Sequence, residues 1–331
     1  MLKTYALSLF FALLQLFAQA KGRSKSLRHT LKLIEEAKLS ELLPEQESSL
    51  EASGVVYVNS SFYVVFDSDT FLAKIENHTH RIPENNFIYS EEQTESEFEG
   101  IFYDNLTGHL FLLQEAISNS RTRESYNAKI VEVSLSSDLR NYTPIESCFV
   151  NYSFKTDNKG LEGIHIFRED GSKAAYLLCE GNGCRGGKKG DTSRGVVLTA
   201  VYRSATPSSG CRWEVIRASE LPQSLHFKDY SDLAISSEYK RVAVTTQQDS
   251  AVWITDFESV EEIDWSKSGA VYEFPRRKKN KIAYCNVEGI YFIKKNVIAV
   301  VSDKAKKKQS SRCALKDRML HIFEIPELGG L

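Results

Sequence analysis

Four carboxylates stand at matching places along this 331-residue chain: Glu99, Glu162, Asp232 and Glu288. Each opens a short run of alternating apolar residues, as in Glu99-Gly100-Ile101-Phe102-Tyr103 and Glu288-Gly289-Ile290-Tyr291-Phe292. If such runs are strands that share an axis, the four carboxyl groups converge. They would then repel one another and raise one another's pKa. A hard divalent cation relieves that repulsion, and calcium accepts an irregular set of oxygen ligands. The alternative is a repeated clasp, in which each carboxylate accepts backbone N–H groups from a neighbouring unit and holds no metal. Glu162 and Glu288 are also the general-base candidates for hydrolysis of a phosphoester or lactone. His165 follows Glu162 by three positions, so strand alternation puts it on the other side.

Basic residues form three clusters: Arg185, Lys188 and Lys189; Arg276, Arg277, Lys278 and Lys279; and Lys306 and Lys307 within the run Lys304–Lys308. They form a candidate anion-binding rim for a phosphoester, an anionic glycan or a protein partner. Solvated loops without a ligand are the plain alternative. The net charge of −2 gives no global pull toward nucleic acid or a membrane. No G-x-S-x-G elbow or H-E-x-x-H helix is present, and His78-x-His80 lacks further ligands at zinc spacing. Binding is therefore expected ahead of catalysis, with a calcium-dependent hydrolase as the alternative.

The elements that must position these groups repeat. An acidic or Ser residue, a small residue and an alternating apolar strand recur five times, from Ser53, Glu99, Glu162, Ser231 and Glu288. The spacing of about 46 to 69 residues lies in the range of propeller blades. A second strand follows each phrase and ends on a polar residue: Asp67, Glu115, Glu180, Gln247 and Asp303. A third strand follows in every unit and a fourth in the first four. The pattern predicts an all-β chain, a β-propeller of five or six four-stranded blades over residues 45–326. Residues 21–44 are an N-terminal segment in which Leu27–Leu39 is either the missing ring-closing strand or a short amphipathic helix. Residues 327–331 are a tail.

Residues 1–20 read as a signal peptide: Lys3, an apolar run from Tyr5 to Phe17, and Ala18-Gln19-Ala20. The apolar core is too short to favour spanning a bilayer, so no transmembrane anchor is expected. Six cysteines, Cys148, Cys179, Cys184, Cys211, Cys285 and Cys313, suit up to three disulfides in an oxidising compartment. Cys285 and Cys313 are expected to pair within the last unit, while the pairing of the other four stays open. Sequons at Asn59, Asn77, Asn105, Asn141 and Asn151 complete the description of a secreted glycoprotein. In a propeller the first four sequons fall on the face opposite the acidic and basic groups.

The phrases Glu99-Gly100-Ile101-Phe102-Tyr103-Asp104, Leu161-Glu162-Gly163-Ile164 and Asp229-Tyr230-Ser231-Asp232-Leu233-Ala234 resemble those that open the blades of the SdiA-regulated and phytase-like extracellular propellers. The resemblance runs over most of residues 45–326 and implies the fold, with calcium in the channel and ester or lactone hydrolysis known among relatives. Ser53 departs from it in the first unit, and the stretch from Cys179 to Arg194 looks like an insertion. Lys25-Ser26-Leu27-Arg28 resembles the host-entry motif of RxLR effectors, with Lys for the first Arg; delivery into a host cell is a further alternative.

Overall fold

The computed structural model describes residues 29–46, 49–92, 96–118, 125–155, 159–184, 193–206 and 210–327. The expected signal peptide, the Lys25–Arg28 motif, and Arg185, Lys188 and Lys189 lie outside the described residues.

The alternating phrases form strands because β-branched and aromatic residues fill both faces of each sheet between Gly, Asn, Asp and Ser turns. Unit 1 contains β3 (Ala52–Val58), β4 (Ser61–Phe66), β5 (Leu72–Ile75) and β6 (Asn86–Ser90). Unit 2 contains β7 (Phe98–Asp104), β8 (His109–Ser118), β9 (Tyr126–Leu135) and β10 (Asn141–Phe154). Unit 3 contains β11 (Leu161–Glu169), β12 (Ser172–Cys179), β13 (Val196–Arg203) and β14 (Arg212–Glu220). Unit 4 contains β15 (Asp232–Ser236), β16 (Arg241–Thr246), β17 (Ala251–Asp256) and β18 (Ala270–Glu273), with β1 (His29–Thr30) added in parallel to β18. Unit 5 contains β19 (Val287–Lys294), β20 (Val297–Ser302) and β21 (Met319–Glu324). Its fourth strand comes from the other end of the chain: β2 (Lys32–Lys38) pairs antiparallel with β21. Of the two forms left open for Leu27–Leu39, the strand is the one seen over Lys32–Lys38, and the short helix α1 (Leu39–Leu42) follows it.

The first strands touch in cyclic order, β3 to β7, β11, β15, β19 and back to β3. Five separate apolar cores fill the five gaps between units. Val55, Ile101, Ile164, Leu233 and Ile290 occupy one equivalent position and each enters a different core. Stacked four-stranded sheets around a common channel are a β-propeller.

The first strands run close together at the channel. A Cβ on Gly289 would lie 2.8 Å from Gly54 Cα, and one on Gly100 would lie 3.2 Å from the Glu162 carbonyl. The glycine of the recurring phrase therefore serves close approach between units. Three disulfides join Cys148 to Cys211, Cys179 to Cys184 and Cys285 to Cys313. They fit an extracellular protein. Among the described residues no helix is long and apolar enough to cross a membrane.

Candidate functional site: the acidic channel mouth

In units 1, 2 and 3 the register between first and second strands slips at one residue, Ser53, Glu99 and Glu162. Unit 5 slips across Glu288-Gly289. A bulged residue leaves the ladder and re-aims its side chain, here toward the channel end where the first strands begin. The register equates Leu233 with Ile164, since they pair with Val244 and Leu177, the third residues before Gln247 and Glu180. Ser231 therefore stands where Glu162 stands, and Asp232 takes the glycine position.

That corrects the expected ligand set. Asp232 Oδ1 accepts the Leu233 N–H at 2.7 Å and Oδ2 accepts the Ile290 N–H of the next unit at 2.8 Å. Asp232 is a clasp between units, not a carboxylate free for the mouth. Ser53 and Ser231 clasp in the same direction, donating to the carbonyls of Phe98 and Val287 in the following units. Glu99, Glu162 and Glu288 make no such backbone bond among the described residues. Glu288 Oε1 accepts from Gln247 Nε2 at 2.8 Å.

The second-strand ends supply another ring of carboxylates. Asp67, Glu180 and Asp303 directly follow β4, β12 and β20, Glu115 lies within β8 at the matching register position, and Gln247 holds the fifth place. One oxygen each from Glu115, Glu162 and Glu180 lies within 4.8 Å of the others. Glu162 is only 6% exposed and has no hydrogen-bond donor among the described residues. Glu115 Oε1 accepts the Gly160 N–H at 2.7 Å. Glu180 pairs with Lys159 through Oε1, while its buried Oε2 lacks a hydrogen-bond partner among the described residues. The Glu180 backbone is held by Gly160 and Tyr230, and the Cys179–Cys184 bridge closes the turn behind it.

Burial and mutual repulsion act together here. Burial, then the charges of Asp67, Glu115, Glu288 and Glu180, lift Glu99 well above the usual range. Burial and then Glu99 and Glu180 do the same to Glu162. Burial and then Asp303 do so to Glu288. Burial likewise raises Glu115 to about 8 and Asp303 to about 6, and lifts Asp67, Glu180 and Asp229. Asp229 accepts from the Thr246 hydroxyl at 2.6 Å and the Gln248 N–H at 3.2 Å.

The basic residues divide. Lys306 Nζ reaches Gln247 Oε1 at 3.5 Å and lies near enough to oppose the rise at Glu288 and Glu180. With Lys159, Glu180, Asp229 and Arg312 it lines a cavity of about 480 Å³ beside the mouth. Lys307 is exposed in the same loop. Arg276 is taken up by Glu273 at 2.7 Å and the Asp249 carbonyl at 3.1 Å. Arg277 and Lys278, with Arg312, line an open depression farther out, and Lys279 is exposed beside them. His165 lies apart from the general-base candidates Glu162 and Glu288, for it lines a cavity at the other end of the channel.

No protein-family description matches the chain, and no curated protein matches it in sequence. Among solved structures, it is similar to the PQQ-bound aldose sugar dehydrogenase of Streptomyces coelicolor, with TM-score 0.46, 11% identity, 88% of this chain and 98% of that one covered. It is also similar to a luciferin-regenerating enzyme, with TM-score 0.42, 11% identity and coverage of 91% and 96%. The calcium-binding protein regucalcin of Agrobacterium tumefaciens gives TM-score 0.41, 11% identity and coverage of 90% and 94%.

Proposed function

We propose that this chain is a secreted, glycosylated binding propeller whose channel mouth holds a divalent cation of the calcium type and thereby takes an anionic ligand, a phosphoester or anionic glycan. The observation that carries the reading is the meeting of Glu115, Glu162 and Glu180, with Glu162 buried and without a donor among the described residues. Ser53, Ser231 and Asp232 fulfil the clasp role, so that role does not account for the glutamates. The donor set is all oxygen and irregular, which suits calcium better than zinc. Glu99 and Glu288 stand by as outer acceptors. Lys159 and Lys306 border the adjoining cavity, where they add attraction for a phosphate or sulfate group.

Calorimetry of chelator-treated protein with calcium tests the reading. One saturating site is expected, weakened at least tenfold in Glu162→Gln. No heat and no melting shift at millimolar calcium would remove the cation from the account. Inorganic phosphate should then bind only in the presence of calcium, and more weakly in Lys306→Ala. Hydrolysis is the second reading, favoured by Asp303, whose pKa of about 6 suits proton transfer near neutral pH. Release of product from a phosphoester and lactone panel, abolished in Glu162→Gln, would favour it over binding alone.

A further inference from the structure

We propose that the opposite end of the channel is a second binding site, for a small uncharged aromatic molecule that carries a hydroxyl group. A cavity of about 390 Å³ opens there between the C-terminal halves of the five first strands. That volume lies in the ordinary range for small-molecule sites. Ile101, Ile164, Leu233 and Ile290 line it together with Phe102 and Tyr291.

His165 is the polar group set into this apolar wall. Its ring meets Phe102 edge-on, with centroids 4.8 Å apart and planes at 74°. Neither ring nitrogen has a hydrogen bond from a described residue, and the ring opens into the cavity. Burial pulls its pKa down to about 3, so the imidazole is neutral and offers one donor and one acceptor. A polar group left unpaired in apolar surroundings favours a ligand that pairs with it.

Among the described residues the lip offers an anion no free cation, and Glu238 adds an exposed carboxylate there. Arg168 is neutralised by Asp104 at 2.6 Å, and Asp104 is also engaged by the Leu106 N–H and the Thr107 hydroxyl, each at 3.1 Å. The Ser236 hydroxyl accepts the Tyr239 N–H at 3.2 Å. Aromatic walls, a neutral imidazole and a lip that disfavours anions together fit a flat, uncharged ring with one hydroxyl.

The test is titration of the full secreted protein with 2-naphthol and with naphthalene, in chelator so that the acidic mouth holds no cation. One equivalent of 2-naphthol is expected to bind. His165→Leu should weaken 2-naphthol about tenfold, the value of one hydrogen bond, while changing naphthalene by less than about twofold. His165→Trp, which fills the cavity, should abolish both, and both variants should keep wild-type calcium binding as a check on folding. Absence of saturable 2-naphthol binding to the wild type would overturn the proposal. So would equal weakening of both probes by His165→Leu, or full binding by a folded His165→Trp.

Discussion

Glu115 gives the sharpest test of the acidic mouth. Its pKa rises from 4.5 to about 8 in the folded chain. Between those two values the folded protein keeps a proton that the unfolded chain has released. The Glu115 contribution to stability must therefore fall as pH rises through that window and be gone above it. At 1.36 kcal/mol per pKa unit the loss comes to about 5 kcal/mol, an upper value because the neighbouring carboxylates share the protons. For a domain of this size that is a melting shift of up to roughly 10 °C. Differential scanning calorimetry in chelator at pH 5, 6.5 and 8 should show the fall. Glu115→Gln should make it shallower, because it removes one titrating group and one repelling charge. Calcium should restore the melting temperature most at pH 8, where the carboxylates are most ionised. A chelated protein whose melting is level or rises from pH 5 to 8 would refute the reasoning. An unchanged slope in Glu115→Gln would do the same.

Three further outcomes follow from other parts of the ring. Asp232→Ala leaves the Ile290 N–H buried without its acceptor, which costs about 1–3 kcal/mol; calorimetry should show lower melting with calcium affinity held within about twofold. Glu36 on β2 accepts from Lys316, from His321 at 3.1 Å and from the Tyr284 hydroxyl at 3.3 Å, and its pKa is lowered to about 2. The stability it contributes is present above pH 4.5 and lost as pH falls toward 2, about 1–2 kcal/mol after solvent screening, so Glu36→Gln should unfold at a higher pH in an acid titration. Replacing Cys148 and Cys211 together by Ser opens a loop spanning 63 residues and should cost about 4 kcal/mol, read as a lower denaturant midpoint; an unchanged midpoint would show that the parallel pairing of β10 with β14 suffices.

The fold was legible because its unit repeats. Ser53, Glu99, Glu162, Ser231 and Glu288 each open an alternating strand, and one shortened unit left a place for a strand from the N-terminal segment, which β2 fills. Side-chain direction was less legible. Ser231 and Asp232 are adjacent and both polar, and only the register with β16 shows that Asp232 sits at the glycine position. One residue of slip changes which way a strand side chain points. The second ring, Asp67, Glu115, Glu180 and Asp303, was visible as a run of polar strand ends, but its meeting with Glu162 depends on closure of the whole ring. Arg276 was indistinguishable from its neighbours until Glu273 was seen to occupy it. The sequence pattern placed His165 on a strand face, yet a cavity depends on how five units pack, which no local pattern records.

The two serines of the mouth show what folding alone requires there. Ser53 and Ser231 each satisfy a carbonyl of the next unit and leave no charge behind. Units 2, 3 and 5 place Glu at the same position without that bond. Seven carboxyl groups, Asp67, Glu99, Glu115, Glu162, Glu180, Glu288 and Asp303, then crowd one end of the channel. Lys159, Lys304 and Lys306 oppose them, and Lys304 is itself paired with Glu51. Burying like charges at this density destabilises the fold, and a serine at each place would relieve it. The glutamates are therefore better accounted for by a ligand that compensates them than by the architecture of the ring. On the proposed reading, a divalent cation would supply that compensation at the point where Glu115, Glu162 and Glu180 meet.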